Sequence, residues 1–88
     1  MQTITLQDGF ELQLDEDRLD NMELLDAMSD LTENDNPLAM SRVVTLLLGR
    51  PGRKQLYDHL RVDGRVPTGA VSEAVTWIFN SLGQTGKN

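Results

Sequence analysis

His59 is the one residue in this chain suited by type to proton transfer near neutral pH, and it is the sole histidine. Its neighbour Asp58 has the right chemistry to orient an imidazole. Acid–base catalysis also needs a reacting partner held in place, and no nucleophile is spaced around the pair as a triad requires. With one histidine and no cysteine, histidine-rich and thiolate metal sites are excluded, as are disulfides and cysteine nucleophiles. The acidic runs Asp15-Glu16-Asp17 and Asn34-Asp35-Asn36 begin like calcium loops. Neither continues to the central glycine and terminal bidentate glutamate that such a loop uses. Gly49-Arg50-Pro51-Gly52-Arg53-Lys54 is basic and glycine-containing, but it lacks the spacing of a phosphate loop and no buried strand precedes it. A carrier serine would stand at a helix start after an aspartate, whereas Ser29 precedes Asp30 and Ser41 is followed by Arg42. The expectation is a protein that is not an enzyme, holds no metal or cofactor, and acts by binding another protein.

The elements that would carry such a surface follow from length and pattern. Eighty-eight residues make one small domain with a modest core rather than a deep substrate cavity. The hydrophobic fraction of 39% and charged fraction of 25% are those of a globular chain. Net charge is −6, unevenly distributed. Residues 1–35 hold eleven carboxylates against Arg18 alone, or −10, and residues 36–88 hold seven cations against three carboxylates, or +4. A solvated acidic face accounts for the first half, and the overall acidity opposes general nucleic-acid binding, which rests on phosphate contacts. No basic-then-apolar leader opens the chain, and the run from Val43 to Leu48 is too short to span a bilayer, so a cytoplasmic location and no membrane contact are expected.

The fold class is α+β and mainly helical: an N-terminal hairpin packed on about four short helices, in one domain over residues 1–83. Alternation places the hairpin over residues 3–14. A two-residue loop at Asp8-Gly9 would set Leu6 opposite Glu11. A three-residue loop, Gln7-Asp8-Gly9, sets Leu6 opposite Phe10 and Ile4 opposite Leu12, so that all five apolar side chains share a face. Helices are expected over about 17–32, 37–48, 53–62 and 68–82, with a flexible tail over 84–88. Leu24, Leu25, Met28 and Leu31 form the apolar stripe of the first. Glu23, Asp26, Asp30 and Glu33 lie opposite, three and four apart, repelling one another by a few tenths of a kcal/mol per pair. Asn36 caps the second helix, with Pro37 at its first position, and apolar residues nearly all round mark it as the central element. Gly49 caps its end, and Arg50-Pro51-Gly52 forms the next turn. Val71, Val75, Ile78 and Leu82 form the core stripe of the last helix, which Gly83 ends.

Two helices about this Gly/Pro turn, the second bearing Arg53, Lys54 and Arg61 after Arg50, also fit a helix–turn–helix. That motif carries the alternative reading, a small DNA-binding or regulatory adaptor encoded by a prophage.

End to end, the layout resembles the short tail assembly chaperones of siphophages and prophages of Gram-positive bacteria. The likeness is carried by Leu6-Gln7-Asp8-Gly9-Phe10-Glu11-Leu12, by Asp20-Asn21-Met22-Glu23-Leu24-Leu25-Asp26, by Asn36-Pro37-Leu38 leading into Val43 to Gly49, by Gln55-Leu56-Tyr57-Asp58-His59-Leu60, and by Val71 to Phe79. The resemblance implies a protein that coats the long tape-measure protein, keeps it soluble, helps recruit tail-tube subunits, and leaves before the virion is complete. It also implies a longer frameshifted product branching near Gly86-Lys87-Asn88. A partner of this kind is a long helix with an apolar stripe, which asks for an apolar groove with charges at its rim. Tyr57, Trp77 or Phe79 is expected to anchor that groove, and the acidic face of Glu23, Asp26, Asp30 and Glu33 to steer a basic segment. Coating a long partner suits several copies, and an exposed hairpin edge offers pairing between them as a homo-oligomer.

Overall fold

The computed structural model describes residues 1–34 and 36–86. Two antiparallel strands, β1 (Gln2–Thr5) and β2 (Glu11–Leu14), lead through a 3-10 turn (Glu16–Leu19) into α1 (Met22–Thr32), α2 (Ala39–Leu60) and α3 (Thr68–Gly86). The hairpin register is that of the three-residue loop. Ile4 faces Leu12 and Thr5 faces Glu11. The Leu6 amide donates to the Phe10 carbonyl at 2.8 Å, and the Gly9 amide to the Leu6 carbonyl at 2.9 Å. Gly9 takes φ +93°, a conformation the turn requires and side-chain-bearing residues resist. Ile4, Leu6, Leu12 and Leu14 are therefore buried together.

The first expected helix does not run from Asp17. The Asp15 carboxylate accepts the Asp17 amide at 3.0 Å and closes a 3-10 turn, and the Asn21 side chain accepts the Glu23 amide at 3.0 Å and starts a fresh α-helix at Met22. Asn21 is extended, at φ −150° and ψ 112°, so helical geometry cannot pass through it. The inward stripe of α1 is Leu24, Ala27, Met28 and Leu31. Leu25 falls outside it and is 49% exposed, because the helical repeat carries it round toward solvent.

There are three helices among the described residues rather than about four. The expected second and third form one element, Ala39–Leu60, broken at a single residue: Gly49, at φ 75° and ψ 169°. Pro51 then falls in the first turn after the break, where its missing amide and fixed φ cost little, so Arg50-Pro51-Gly52 stays helical. The positive φ is what calls for glycine at the break, and the Arg18 side chain lies against it. A β-carbon on Gly49 would stand 2.6 Å from an Arg18 guanidinium nitrogen. Arg18 thereby places its charge at the carbonyl end of the leading half of α2, where the helix dipole favours a cation. The leading half of α2 begins at Ala39 rather than at Pro37, with no side-chain cap on its first turn; the Asn36 side chain closes the preceding turn instead, accepting the Leu38 amide at 3.2 Å.

Val43, Val44, Leu47 and Leu56 of α2 are fully buried, and α2 packs on β2, α1, α3 and the 3-10 turn. It is the central element that its apolar circumference predicts. It ends at Arg61, where the backbone turns extended. Asp63 and Gly64 both take positive φ, and Val62 and Arg65 exchange backbone bonds of 2.7 and 3.1 Å around them. Val71, Ala74, Val75 and Ile78 complete the core from α3. Gly83 does not end α3, which continues to Gly86; a glycine inside a helix costs about 1 kcal/mol relative to alanine without breaking it. Residues 84–86 of the expected tail are thus helical, and Lys87 and Asn88 lie outside the described residues. No buried polar side chain occurs among the described residues. No helix of them is long and apolar enough to cross a membrane.

Candidate functional site

The break at Gly49 has a geometric consequence. Met40 and Tyr57 are seventeen residues apart, a separation of about 25 Å along a straight helix. Yet both line one groove, with Met40 contributed by the leading half of α2 and Tyr57 by the trailing half. The same bend lets the Arg53 guanidinium donate to the Thr45 hydroxyl at 2.9 Å across eight residues. Leu31 at the end of α1, Leu38 in the loop that follows, and Val66 and Val71 around the start of α3 add apolar walls to a space of about 580 Å³, which the hydroxyls of Ser41, Thr68 and Ser72 also border. Leu38 is 84% exposed, the most solvent-accessible large apolar side chain of the described residues. Met40 and Leu31 are half-buried, packed on the core on one side and facing the groove on the other. An exposed leucine beside flexible methionine and an aromatic wall suits apolar side chains of variable shape.

Tyr57 also borders a second recess, of about 370 Å³, formed with Arg50, Arg53, Lys54, Asp58 and Arg61. The cations gather there because positions 50, 53, 54, 57 and 61 share a face of the helix. Lys54 and Arg61 both reach Asp58, at 3.0 and 3.1 Å. Their hydrogen bonds, Lys54 first, hold the Asp58 carboxyl below its ordinary pKa. The Arg53 guanidinium lies 5.8 Å from the centre of the Tyr57 ring.

Of the three aromatics expected to anchor a groove, Tyr57 lines it. Trp77 sits at the hairpin, its indole N–H donating to the Thr5 carbonyl at 2.9 Å while 39% of the residue remains exposed. This bond satisfies an outward-facing carbonyl of β1 and blocks that stretch of the strand edge. Phe79 is half-buried against the core, away from the groove walls. Glu23, Asp26 and Glu33 are exposed on α1, and Glu33 accepts the Ser29 hydroxyl at 3.0 Å. Asp30 acts on the chain itself. Its carboxylate accepts the side-chain amides of Asn34 at 2.9 Å and Asn36 at 2.8 Å, which fixes the loop leading to Leu38 and lowers the Asp30 pKa. None of the four acidic side chains lines the groove.

His59, the residue with the clearest chemical potential in the sequence, joins the hairpin instead. Its Nε2 is 2.7 Å from an Asp8 carboxylate oxygen, and its ring stacks on Phe10 at 3.9 Å with an interplanar angle of 6°. The Asp8 pKa is lowered, first by His59 and then by the Phe10 amide. Nothing local in the sequence announces this contact between residues 51 apart. Among the described residues no three histidine or carboxylate side chains are grouped to hold a metal. Comparison with known protein families, curated proteins and solved structures finds no match.

Proposed function

We propose that this chain is a tail assembly chaperone of the siphophage type, which binds stretches of the tape-measure protein as amphipathic helix and assists tail-tube assembly without catalysis. The observation that carries the reading is the open groove walled by Leu31, Leu38, Met40, Tyr57, Val66 and Val71. A helix presents apolar side chains at i, i+3, i+4 and i+7, and a groove of this size accepts two or three of them. A protein that must cover many similar segments of a long partner benefits from a small domain with an adaptable apolar surface, as the exposed Leu38 and the methionine wall provide. In this reading Tyr57 is the groove's aromatic anchor, the acidic face of α1 keeps copies soluble and steers the approach of charged partners, and the work is done in the host cytoplasm.

Co-expression with the gene product encoded immediately downstream tests the proposal. The long partner is expected to be soluble and to co-purify with this chain, and to lose both properties with Leu38→Asp or Tyr57→Ala. Independent solubility of the two proteins, without association, would reject it. The basic face of α2 favours a second reading, a regulatory adaptor that binds DNA through Arg50, Arg53, Lys54 and Arg61. A salt-sensitive shift of duplex DNA at low ionic strength would mark that reading, and its absence would remove it.

A further inference from the structure

We infer that the helix accepted by the groove carries carboxylates, not cations, beside its apolar stripe, and that these dock on the ledge formed by Arg50, Arg53, Lys54 and Arg61. The inference rests on the groove's being a helix-binding site and adds the charge and the direction of its occupant.

Three observations carry it. The groove wall itself contains no charged side chain, so whatever selects the partner's charge stands at the rim. The basic recess is continuous with the groove, because Tyr57 belongs to both. Finally, the ledge is undercompensated. Four cations share one carboxylate, Asp58, which leaves three positive charges in a chain whose net charge is −6. Lys54 and Arg61 both spend their contacts on Asp58 while their side chains remain 77% and 46% exposed, so an incoming carboxylate can be met without dismantling a buried network. Arg50 makes no ion pair among the described residues.

The acidic face of α1 then acts by repulsion. Glu23 and Asp26 disfavour a carboxylate-bearing helix that approaches over α1, while the ledge favours its acidic end near Tyr57. With no charge on the groove wall, the ledge beside Tyr57 sets the polarity with which the helix lies in the groove. This reverses the partner charge expected from the sequence, where the acidic face of α1 is assigned to steering a basic segment and the cations of residues 50–61 to DNA.

Two synthetic helical peptides with the same leucine stripe test the inference. One bears a glutamate cluster at one end and the other bears lysines at the same positions, and binding is read by fluorescence anisotropy. The glutamate peptide is expected to bind at least about tenfold tighter at low ionic strength. Its advantage should shrink at about 0.5 M salt. Arg50→Glu combined with Lys54→Glu should invert the preference, with an unchanged far-ultraviolet circular dichroism spectrum confirming the fold. Inversion cannot come from a merely structural role of these residues. Equal binding, or a preference for the lysine peptide by the unmodified chain, overturns the charge assignment and leaves the groove reading standing. Binding of neither peptide at millimolar concentration overturns both. Light scattering that shows a dimer abolished by Leu38→Asp gives the groove to a second copy and also overturns the inference.

Discussion

Two sides of α2, each drawing on both halves of the helix, treat apolar side chains in opposite ways. Against the hairpin, Leu12, Leu14, Val43, Leu47 and Leu56 are sealed to 1% exposure or less, and the seal is reinforced by Trp77 on Thr5 and His59 on Asp8. Around the groove, Leu38 projects into solvent and Leu31, Met40, Tyr57 and Val66 are covered on one side only. Leucine and valine serve on both sides. What differs is whether the chain supplies a second layer. The hairpin brings four apolar side chains to its side of α2, whereas Asn36-Pro37-Leu38 and the turn at Asp63-Gly64 bring few to the other. One apolar surface is closed and holds the fold together, and the other is open, which is where the proposed function places binding.

That separation can be broken most sharply by cutting equal side chains on the two sides. Leu56→Ala or Leu47→Ala, each at a fully buried site, should cost about 2–5 kcal/mol of unfolding free energy. Leu38→Ala should change it by no more than about 0.5 kcal/mol while weakening binding to the groove. Urea unfolding with a binding assay on the same samples gives both quantities. A large loss of stability from Leu38→Ala would show that the groove is closed in solution and that the contrast is not real.

The next largest effect concerns the break that joins the two regions. Gly49→Ala places a β-carbon at positive φ and against Arg18, and should destabilise the fold by about 1–3 kcal/mol. It should weaken groove binding as well, because Met40 and Tyr57 meet only if α2 stays bent. In an Arg18→Ala background the steric part of the loss should disappear and the conformational part remain. A double-mutant cycle without coupling between the two sites would show that Arg18 does not rest on Gly49 in solution.

Much of the closed side was legible in the sequence, and little of the open side. Parity alone selected the hairpin register, because a shift by one residue would have exposed Ile4, Leu6, Leu12 and Leu14 together. The apolar circumference of residues 38–48 marked the central helix. The break at Gly49 was placed correctly as a cap but was read as the start of an open turn, since proline and two glycines signal one locally. The start of α1 at about Asp17 is the expectation that fails, because Asp15 and Asn21 each cap a turn of their own. The groove had no sequence signal. Leu31, Tyr57 and Val71 are parts of three different amphipathic patterns, and only tertiary packing leaves their outer faces side by side. Tyr57, Trp77 and Phe79 are equal candidates for a partner anchor in the sequence, and only the fold separates them. The Trp77 hydrogen bond to Thr5 depends on a contact 72 residues distant.

A smaller effect tests whether Trp77 serves the closed side. Trp77→Phe keeps an aromatic ring and removes the indole donor, so it should cost about 0.5–1.5 kcal/mol. The loss should appear first as faster amide exchange in β1 and β2, with groove binding unchanged. Impaired peptide binding with undisturbed hairpin exchange would instead make Trp77 part of a partner surface.

The smallest effects come from the carboxylates that tie each side together. Asp8 holds the hairpin loop to His59, and Asp30 holds the loop before the groove through Asn34 and Asn36. Both have pKa values lowered by folding, so each folded form binds a proton less readily than the unfolded chain. Their contribution is therefore present above the ordinary carboxylate pKa and is lost as pH falls through the lowered folded values, below about pH 4. Asp8→Asn should flatten the acid limb of the stability curve, and in the unmodified chain acid should perturb the Phe10 and His59 resonances as Asp8 protonates. Asp30→Asn should flatten the same limb, but in the unmodified chain its titration should move the resonances of Asn34, Asn36 and Leu38. Both sites are solvent-exposed, so the energies are small, and the assignment rests on which resonances respond. If Asp8 and Asp30 titrations moved the same set of resonances, the two sides would form one cooperative unit, and the division between a sealed side and a receptive side would fail.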